Sequence, residues 1–280
     1  QLNFGVNTGI FDGKFSVALE LYQKDTKDLL LRADTAPSQT NLAQYVNTGH
    51  VRNRGLEITL ATTNISTKDF SWTSDFNISF NRNIVKSLPN SKPIIGTPNY
   101  YRRLSTNQFI VEEGQPLGNM FGYVSDGVYQ ISDFQNYDAT ASTHTLNPMQ
   151  PSYRSHQPGD EKYKDLNGDG KITTADKTVI GNAQPECFGG LTNTFRYKNF
   201  QLSTFLQWSY GNDVLNANRL VFESMQVANQ NQLATTLNRW TPENQNTTMH
   251  RALGQGFEDI SSRVVEDGSY LRLKTVNFSY

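Results

Sequence analysis

The residues best spaced for chemistry lie between Asp165 and Asp176. Asp165, Asn167 and Asp169 place oxygen-bearing side chains at positions 1, 3 and 5 of this stretch. Gly170 stands at position 6, Ile172 at 8 and Asp176 at 12. That spacing matches a loop that wraps a calcium ion. A hard cation takes roughly six to eight oxygens, and the glycine allows the sharp turn that folds the three side chains onto one ion. On this reading Lys171 gives its backbone carbonyl, Thr173 a hydroxyl or a bridging water, and Asp176 the closing carboxylate. An Asn/Asp/Gly-rich turn without metal is the plain alternative.

Asp rather than Glu at position 12 shortens the last ligand and resembles dockerin loops more than sensor EF-hands. The flanks lack the paired amphipathic helices of a sensor, so the expected role is a structural pin for an external loop. A dockerin duplicates its loop, and no second Asp-x-Asn-x-Asp-Gly occurs.

Other chemistry finds little support. His50, His144, His156 and His250 show no His-x-x-x-His or His-x-His spacing and read as surface residues. Glu112-Glu113 and Asp160-Glu161 imitate an acid and base pair, but in segments this polar they read as solvated pairs. No Gly-x-Ser-x-Gly elbow, phosphate loop or dinucleotide fingerprint occurs. No catalytic residue is predicted, and the chain is not expected to be an enzyme. Lys plus Arg (25) nearly cancels Asp plus Glu (26), so the basic field of a nucleic-acid binder is missing. The single Cys187 excludes a disulfide framework and reads as incidental.

The elements that position these residues are strands. Phe70, Trp72, Phe76, Ile78 and Phe80 alternate with Ser71, Thr73, Asp75, Asn77 and Ser79. The pattern returns over 14–24, 56–61, 191–197, 200–210 and 275–280. A two-layer sandwich would bury the apolar face against a second sheet; a transmembrane barrel would point it at lipid around a wet lumen. The connections favour the barrel. Links at 11–14, 64–69 and 198–199 are short, whereas 33–50, 87–186 and 211–268 are long and polar, the asymmetry of an outer-membrane barrel. Aromatics at strand ends (Phe70, Trp72, Trp208, Tyr210) fit interfacial girdles. The fold class expected is therefore all-β, antiparallel, with long external loops. Residues 221–240 are expected to hold a helix ending before Thr241-Pro242. The chain opens at Gln1 without a signal peptide and stops at Tyr280 inside a strand, so it reads as a piece of a longer protein.

Four motifs then carry a family resemblance. Asn47-Thr48-Gly49-His50-Val51-Arg52-Asn53-Arg54-Gly55-Leu56-Glu57 resembles the N-x-G-x-V-x-N-R-G-x-E signature of SusC/RagA-type TonB-dependent outer-membrane transporters. The run from Glu113-Gly114-Gln115-Pro116-Leu117-Gly118 through Phe121-Gly122-Tyr123 to Asp126-Gly127-Val128-Tyr129 is similar to a second segment of that family. Gly159 to Gly181, with the calcium loop, is similar to a third, and Asp267-Gly268-Ser269-Tyr270-Leu271-Arg272-Leu273-Lys274 to a fourth. The resemblance implies part of a 22-stranded barrel in the outer membrane of a Bacteroidota cell. It implies uptake of oligosaccharides, or of peptides in the RagA manner. It also implies a SusD-like lid lipoprotein over the mouth and energy from TonB–ExbB–ExbD through a plug outside this chain. External aromatics Tyr100, Tyr101, Phe121, Tyr123, Tyr129 and Trp240 are expected to meet substrate or lid, or to pack the loops. The competing readings are a secreted carbohydrate-active β-sandwich with a dockerin-like calcium loop and a non-transporting surface adhesin.

Overall fold

The computed structural model describes residues 1–34, 43–96, 108–138, 143–152, 156–226, 229–254 and 259–280. Seven strands form one antiparallel meander: β1 (Leu2–Ile10), β2 (Phe15–Asp34), β3 (Ala43–Ser66), β4 (Phe70–Ser87), β5 (Cys187–Tyr197), β6 (Phe200–Tyr210) and β7 (Tyr270–Ser279). Each pairs with the next in sequence, and β1 and β7 are the sheet edges.

Register carries the sequence alternation across the sheet. Phe76 of β4 faces Leu60 of β3 and Leu191 of β5, and Leu191 faces Leu206 of β6. One face therefore collects the large apolar residues. Trp72 stacks on Phe195 at 5.6 Å, Phe76 on Trp208 at 5.5 Å and Phe200 on Phe278 at 5.8 Å. The opposite face carries Asp75, Asn77 and Asn81 beside Thr192 and Phe205, a mixed but mainly polar surface.

Among the described residues no second layer covers the apolar face. Among the described residues of this sheet, Val85 is the one buried hydrophobic, while Phe4, Phe278 and Leu271 remain 65%, 64% and 72% exposed. A sandwich buries this face in a dry core, so that reading fails here. The apolar run from Phe70 to Phe80 climbs roughly 23 Å at ~3.3 Å per residue and a tilt near 45°. That matches the apolar belt of an outer-membrane barrel, about 25 Å tall.

Three tight turns close one end of the meander. Phe11, Asp12 and Gly13 all take positive φ (55°, 53° and 80°), and Lys14 N–H donates to Phe11 O at 3.1 Å. Lys198 (φ 50°) turns β5 into β6. At the other end the connections are not structureless, contrary to a plain loop reading. Residues 88–186 hold a four-stranded sheet made from Ile94–Gly96, Phe109–Val111, Asn119–Gly122 and Thr178–Asn182. Two further hairpin-like pairs join Ser125–Val128 to Glu161–Tyr163 and Phe134–Asp138 to Thr143–Leu146.

Two expectations need correction. The link expected at 33–50 is largely strand, because β2 runs to Asp34 and β3 begins at Ala43; bulges between Thr26 and Leu30 keep the long ribbon twisted. The helix expected over 221–240 is α1 (Ala217–Phe222), followed later by a short 3₁₀ turn at Ala234–Asn238. Met225 takes φ 51°, which an α-helix cannot continue through.

Gly189 lets Trp208 lie across β5. A Cβ there would meet the Asn77 carbonyl oxygen and the Trp208 ring, and the carbonyl belongs to a paired strand that cannot step aside. Gly189→Val is expected to cost about 1–3 kcal/mol by overpacking. In the full-length protein this reads as a lower temperature for loss of the compact, SDS-resistant form.

Candidate functional site

The Asp165–Asp176 segment folds onto its own carboxylates. Asp165 Oδ1 accepts from Gly168 N–H and Oδ2 from Gly170 N–H, both at 2.7 Å. Asn167 Oδ1 accepts from Asp169 N–H at 2.9 Å, and Asp169 Oδ1 from Lys171 N–H at 2.8 Å. Gly168 and Gly170 take φ of 75° and 79°, the left-handed region where a side chain is strained. Ile172, the apolar position 8, is buried with Tyr123 and Tyr163 and anchors the loop to the lobe.

The donor set fits a hard cation in kind, since every side-chain ligand is an oxygen and each singly bonded oxygen keeps a lone pair. In arrangement it does not close. Among the described residues no three His, Cys, Asp or Glu side chains gather to hold a metal ion. Asp176 is buried, accepting from Leu166 N–H at 2.9 Å and Thr173 N–H at 2.7 Å. Burial pushes its carboxyl up, but the N–H groups of Thr173, Leu166 and Asn167 outweigh it and hold the pKa below the usual range. Thr173 likewise spends its hydroxyl, accepting from Ala175 N–H at 3.2 Å. The closing carboxylate caps its own turn.

The densest polar arrangement lies elsewhere, where the 88–186 and 211–269 segments meet. Asp160 and Glu161, expected as a solvated pair, are fully buried. Glu161 accepts from Ser125 Oγ at 3.0 Å and Ser261 Oγ at 3.4 Å, and its Oε2 lies 3.1 Å from Arg263 Nε as an ion contact. Arg263 Nη1 donates to Glu223 Oε2 at 2.8 Å. Glu223 also accepts from Arg219 Nε at 3.1 Å and from Thr235 Oγ1 at 2.8 Å. Burial raises the Glu161 carboxyl more than Arg263 and the two serines lower it. For Glu223 burial acts the same way, but Arg219, Thr235 and Arg263 win and the pKa falls.

A second joint sits beside it. Arg251 Nε donates to Asp160 Oδ1 at 2.7 Å, and Gln157 N–H to Asp160 Oδ2 at 2.9 Å. His156 and His250, read from the sequence as surface residues, are both buried. Tyr129 stacks on His156 at 4.6 Å. His250 is held neutral, its pKa lowered to about 4 by burial and then by Arg263.

The expected contact aromatics divide. Tyr100 and Tyr101 lie outside the described residues. Tyr123, Tyr129 and Trp240 are buried: Tyr123 stacks on Tyr163 at 4.6 Å, and Trp240 Nε1 donates to Gln130 Oε1 at 3.1 Å over Gly159. Their ring faces are spent on packing the lobe. Phe121 is half-buried in the four-stranded sheet.

Removing Arg263 would take the ion contact from the buried Glu161 and leave Glu223 to Arg219 and Thr235, and breaking a buried pair in this way typically costs about 3–5 kcal/mol. Arg263→Met is expected to expose 211–269 to limited proteolysis while the barrel keeps its SDS resistance. The pH response follows from His250. Its folded pKa lies below the unfolded value of 6.5, so its contribution is complete above pH 6.5 and lost as pH falls toward 4, up to roughly 3 kcal/mol. Glu161, raised on folding, works in the opposite sense: its contribution is complete below the ordinary value of 4.5 and lost as pH rises through its folded value. The comparison with a variant isolates the histidine: lobe hydrogen-exchange protection at pH 5 relative to pH 7 is expected to be higher in His250→Gln than in the unaltered protein.

Comparison with known proteins agrees with this architecture. Residues 1–157 match the family model described as TonB dependent receptor-like, beta-barrel. The chain is 34% identical over its whole length to TonB-dependent receptor P3 of Formosa agariphila and 32% identical to receptor P26 of the same organism. It is 27% identical over 76% of its length to TonB-dependent receptor SusC of Bacteroides thetaiotaomicron. It superposes over 99% of its length on a chain of the RagAB peptide transporter with a TM-score of 0.73 at 21% identity, which shows the shared fold. It spans about a quarter of these proteins, 26% of receptor P3 and 28% of the RagAB chain. An apolar belt around one sheet face, tight turns at one end and a folded lobe at the other thus have a single origin: the chain belongs to the TonB-dependent receptor β-barrel family, as a stretch of the SusC/RagA type.

Proposed function

We propose that this chain forms part of the wall and external lobe of an outer-membrane importer that takes up oligosaccharides under a SusD-like lid lipoprotein. The observation that carries the reading is the two-faced sheet. Its outward side presents an aromatic belt of lipid-spanning height, while Asn77, Ser79 and Asn81 line the other side as hydrogen-bonding groups toward a wet interior. The buried joints give the lobe a fixed shape above that interior, where a lid and a substrate would meet it. TonB, ExbB and ExbD would supply energy through a plug outside this chain. Its part is to bind and pass a nutrient, not to make or break its bonds.

Uptake of labelled oligosaccharides and labelled peptides, compared between cells with and without the full-length protein, tests the reading. Loss of oligosaccharide uptake alone is the expected result. Loss of peptide uptake alone would favour the RagA type of cargo, and no loss of either would reject import. Co-purification of a surface lipoprotein with the full-length protein tests the lid.

The calcium reading takes a narrower form. Asp165, Asn167, Asp169, the Lys171 carbonyl and Thr173 would hold the ion at the rim of the lobe, and Asp176 would have to exchange its N–H partners to join them. The ion would supply loop stiffness. Asp165→Ala and Asp169→Ala are expected to make 88–186 more protease-sensitive while the barrel stays intact, and a chelator to reproduce this in the unaltered protein. Equal sensitivity with and without chelator would leave the loop as a self-capped turn.

A further inference from the structure

We propose that the outward face of β1–β4 binds a phosphate-bearing lipid of the outer leaflet, with Arg54 and Arg82 clasping the phosphate above an acyl-chain groove. The proposal rests on reading the sheet as a barrel wall. Arg54 and Arg82 are directly opposite each other across β3 and β4, one register step above the Leu56–Phe80 pair. They share that pair's face, since side chains two apart on a strand point the same way. Like charges directly opposite in a sheet repel. Among the described residues neither arginine has a carboxylate partner; Arg54 Nε donates to Gln23 Oε1 at 2.8 Å, a neutral acceptor. The nearest acid of the same face, Asp25, is already taken by Arg52 at 2.7 Å and His50 at 2.8 Å. Both arginines are exposed.

Their height matters. The continuous apolar alternation on β4 runs from Phe70 to Phe80; Arg82 interrupts it before the exposed Ile84, at the outer edge of the belt where lipid headgroups begin. Beneath the pair lies a groove of about 620 Å³. Phe4, Leu21, Leu56 and Phe80 line it on the belt side of the arginines, Leu2 lies in the arginines' own row through Gln23, and Ile84 lies one step beyond Arg82. The larger part of the hydrocarbon thus lies inward of the guanidinium groups, toward the middle of the belt, with Leu2 and Ile84 flanking them. A phosphorylated amphiphile has the same order, and charge complementarity selects an anionic headgroup over a zwitterionic one. Two facing guanidinium forks meet the several oxygens of one phosphate, and the anion turns their mutual repulsion into a bridge.

The test uses the full-length protein, purified and delipidated in detergent, titrated with monophosphoryl lipid A, with its dephosphorylated form and with inorganic phosphate, and read by native mass spectrometry. Monophosphoryl lipid A is expected to bind at least about tenfold more tightly than the dephosphorylated lipid, and Arg54→Gln/Arg82→Gln to abolish that preference. Free phosphate alone is expected not to bind, because the groove contributes the acyl contacts. Lys68→Gln, at the turn between β3 and β4 on the other side of the belt, is expected to change nothing. Equal binding of the two lipids, or an undiminished preference in the double variant, would overturn the site. Phosphate binding as tightly as the lipid would overturn the groove's part in it. SDS resistance of the unaltered protein and the double variant is measured alongside. Its absence from the unaltered protein would count against the barrel wall itself, and its loss in the double variant alone directs the measurement to single Arg54→Gln and Arg82→Gln proteins, each expected to lose most of the preference.

Discussion

Backbone N–H and C=O groups that cross hydrocarbon find no water, and each one left unpaired costs several kcal/mol. A meander meets that constraint strand by strand, and much of the rest follows from it. Seven consecutive strands pair each with the next, and the register shifts only locally, at Thr26–Leu30, His50/Val51, Thr63/Ile65 and Phe205/Leu206. With the backbone satisfied inside the sheet, side chains are free to take the two solvents separately: aromatic and aliphatic groups outward, amides and hydroxyls inward. Glycine enters where an aromatic must cross the surface. Tyr22 lies over Gly55 to reach Asn81 Oδ1 at 3.0 Å, and Trp208 lies over Gly189 to reach Phe76.

The chain thus separates two ways of being stable. The sheet has almost no core of its own, because lipid does the covering. Among the described residues the lobe above it has two small cores, Tyr123–Tyr163–Ile172 and Leu220–Ile260–Val264, and much buried charge. Buried ion pairs seldom add net stability over apolar packing, but they punish misalignment, since any partner out of place strands a charge. Glu161, Arg263, Glu223 and Arg219 come from segments on either side of β5 and β6. Their network locks two excursions of the chain into one shape.

Much of the wall could be read directly. Alternation over 70–81 fixed both faces of β4, and the contrast of the short links at 11–14, 64–69 and 198–199 with the long excursions over 87–186 and 211–268 separated the two ends. The family motifs fell where the structure uses backbone or buried groups: Gly55 under Tyr22, Tyr123 and Tyr163 in one stack, and Asp160-Glu161 at the joint. The role of that acidic pair was misread because polarity along a segment says nothing about a partner a hundred residues away. His156 and His250 failed for the same reason. No local spacing marks a histidine whose neighbours arrive from another excursion.

Local rules, then, determined what neighbouring residues decide among themselves: strand period, the tight turns, and the oxygen-rich Asp165–Asp176 loop with glycines where its φ angles turn positive. Tertiary structure decided what those residues meet. It turned Asp176 to its own backbone, buried Tyr123, Tyr129 and Trp240, and set Arg54 against Arg82. The physical reason is range. Steric and hydrogen-bonding preferences act over a few residues, whereas desolvation and charge pairing depend on whichever distant segment folds alongside.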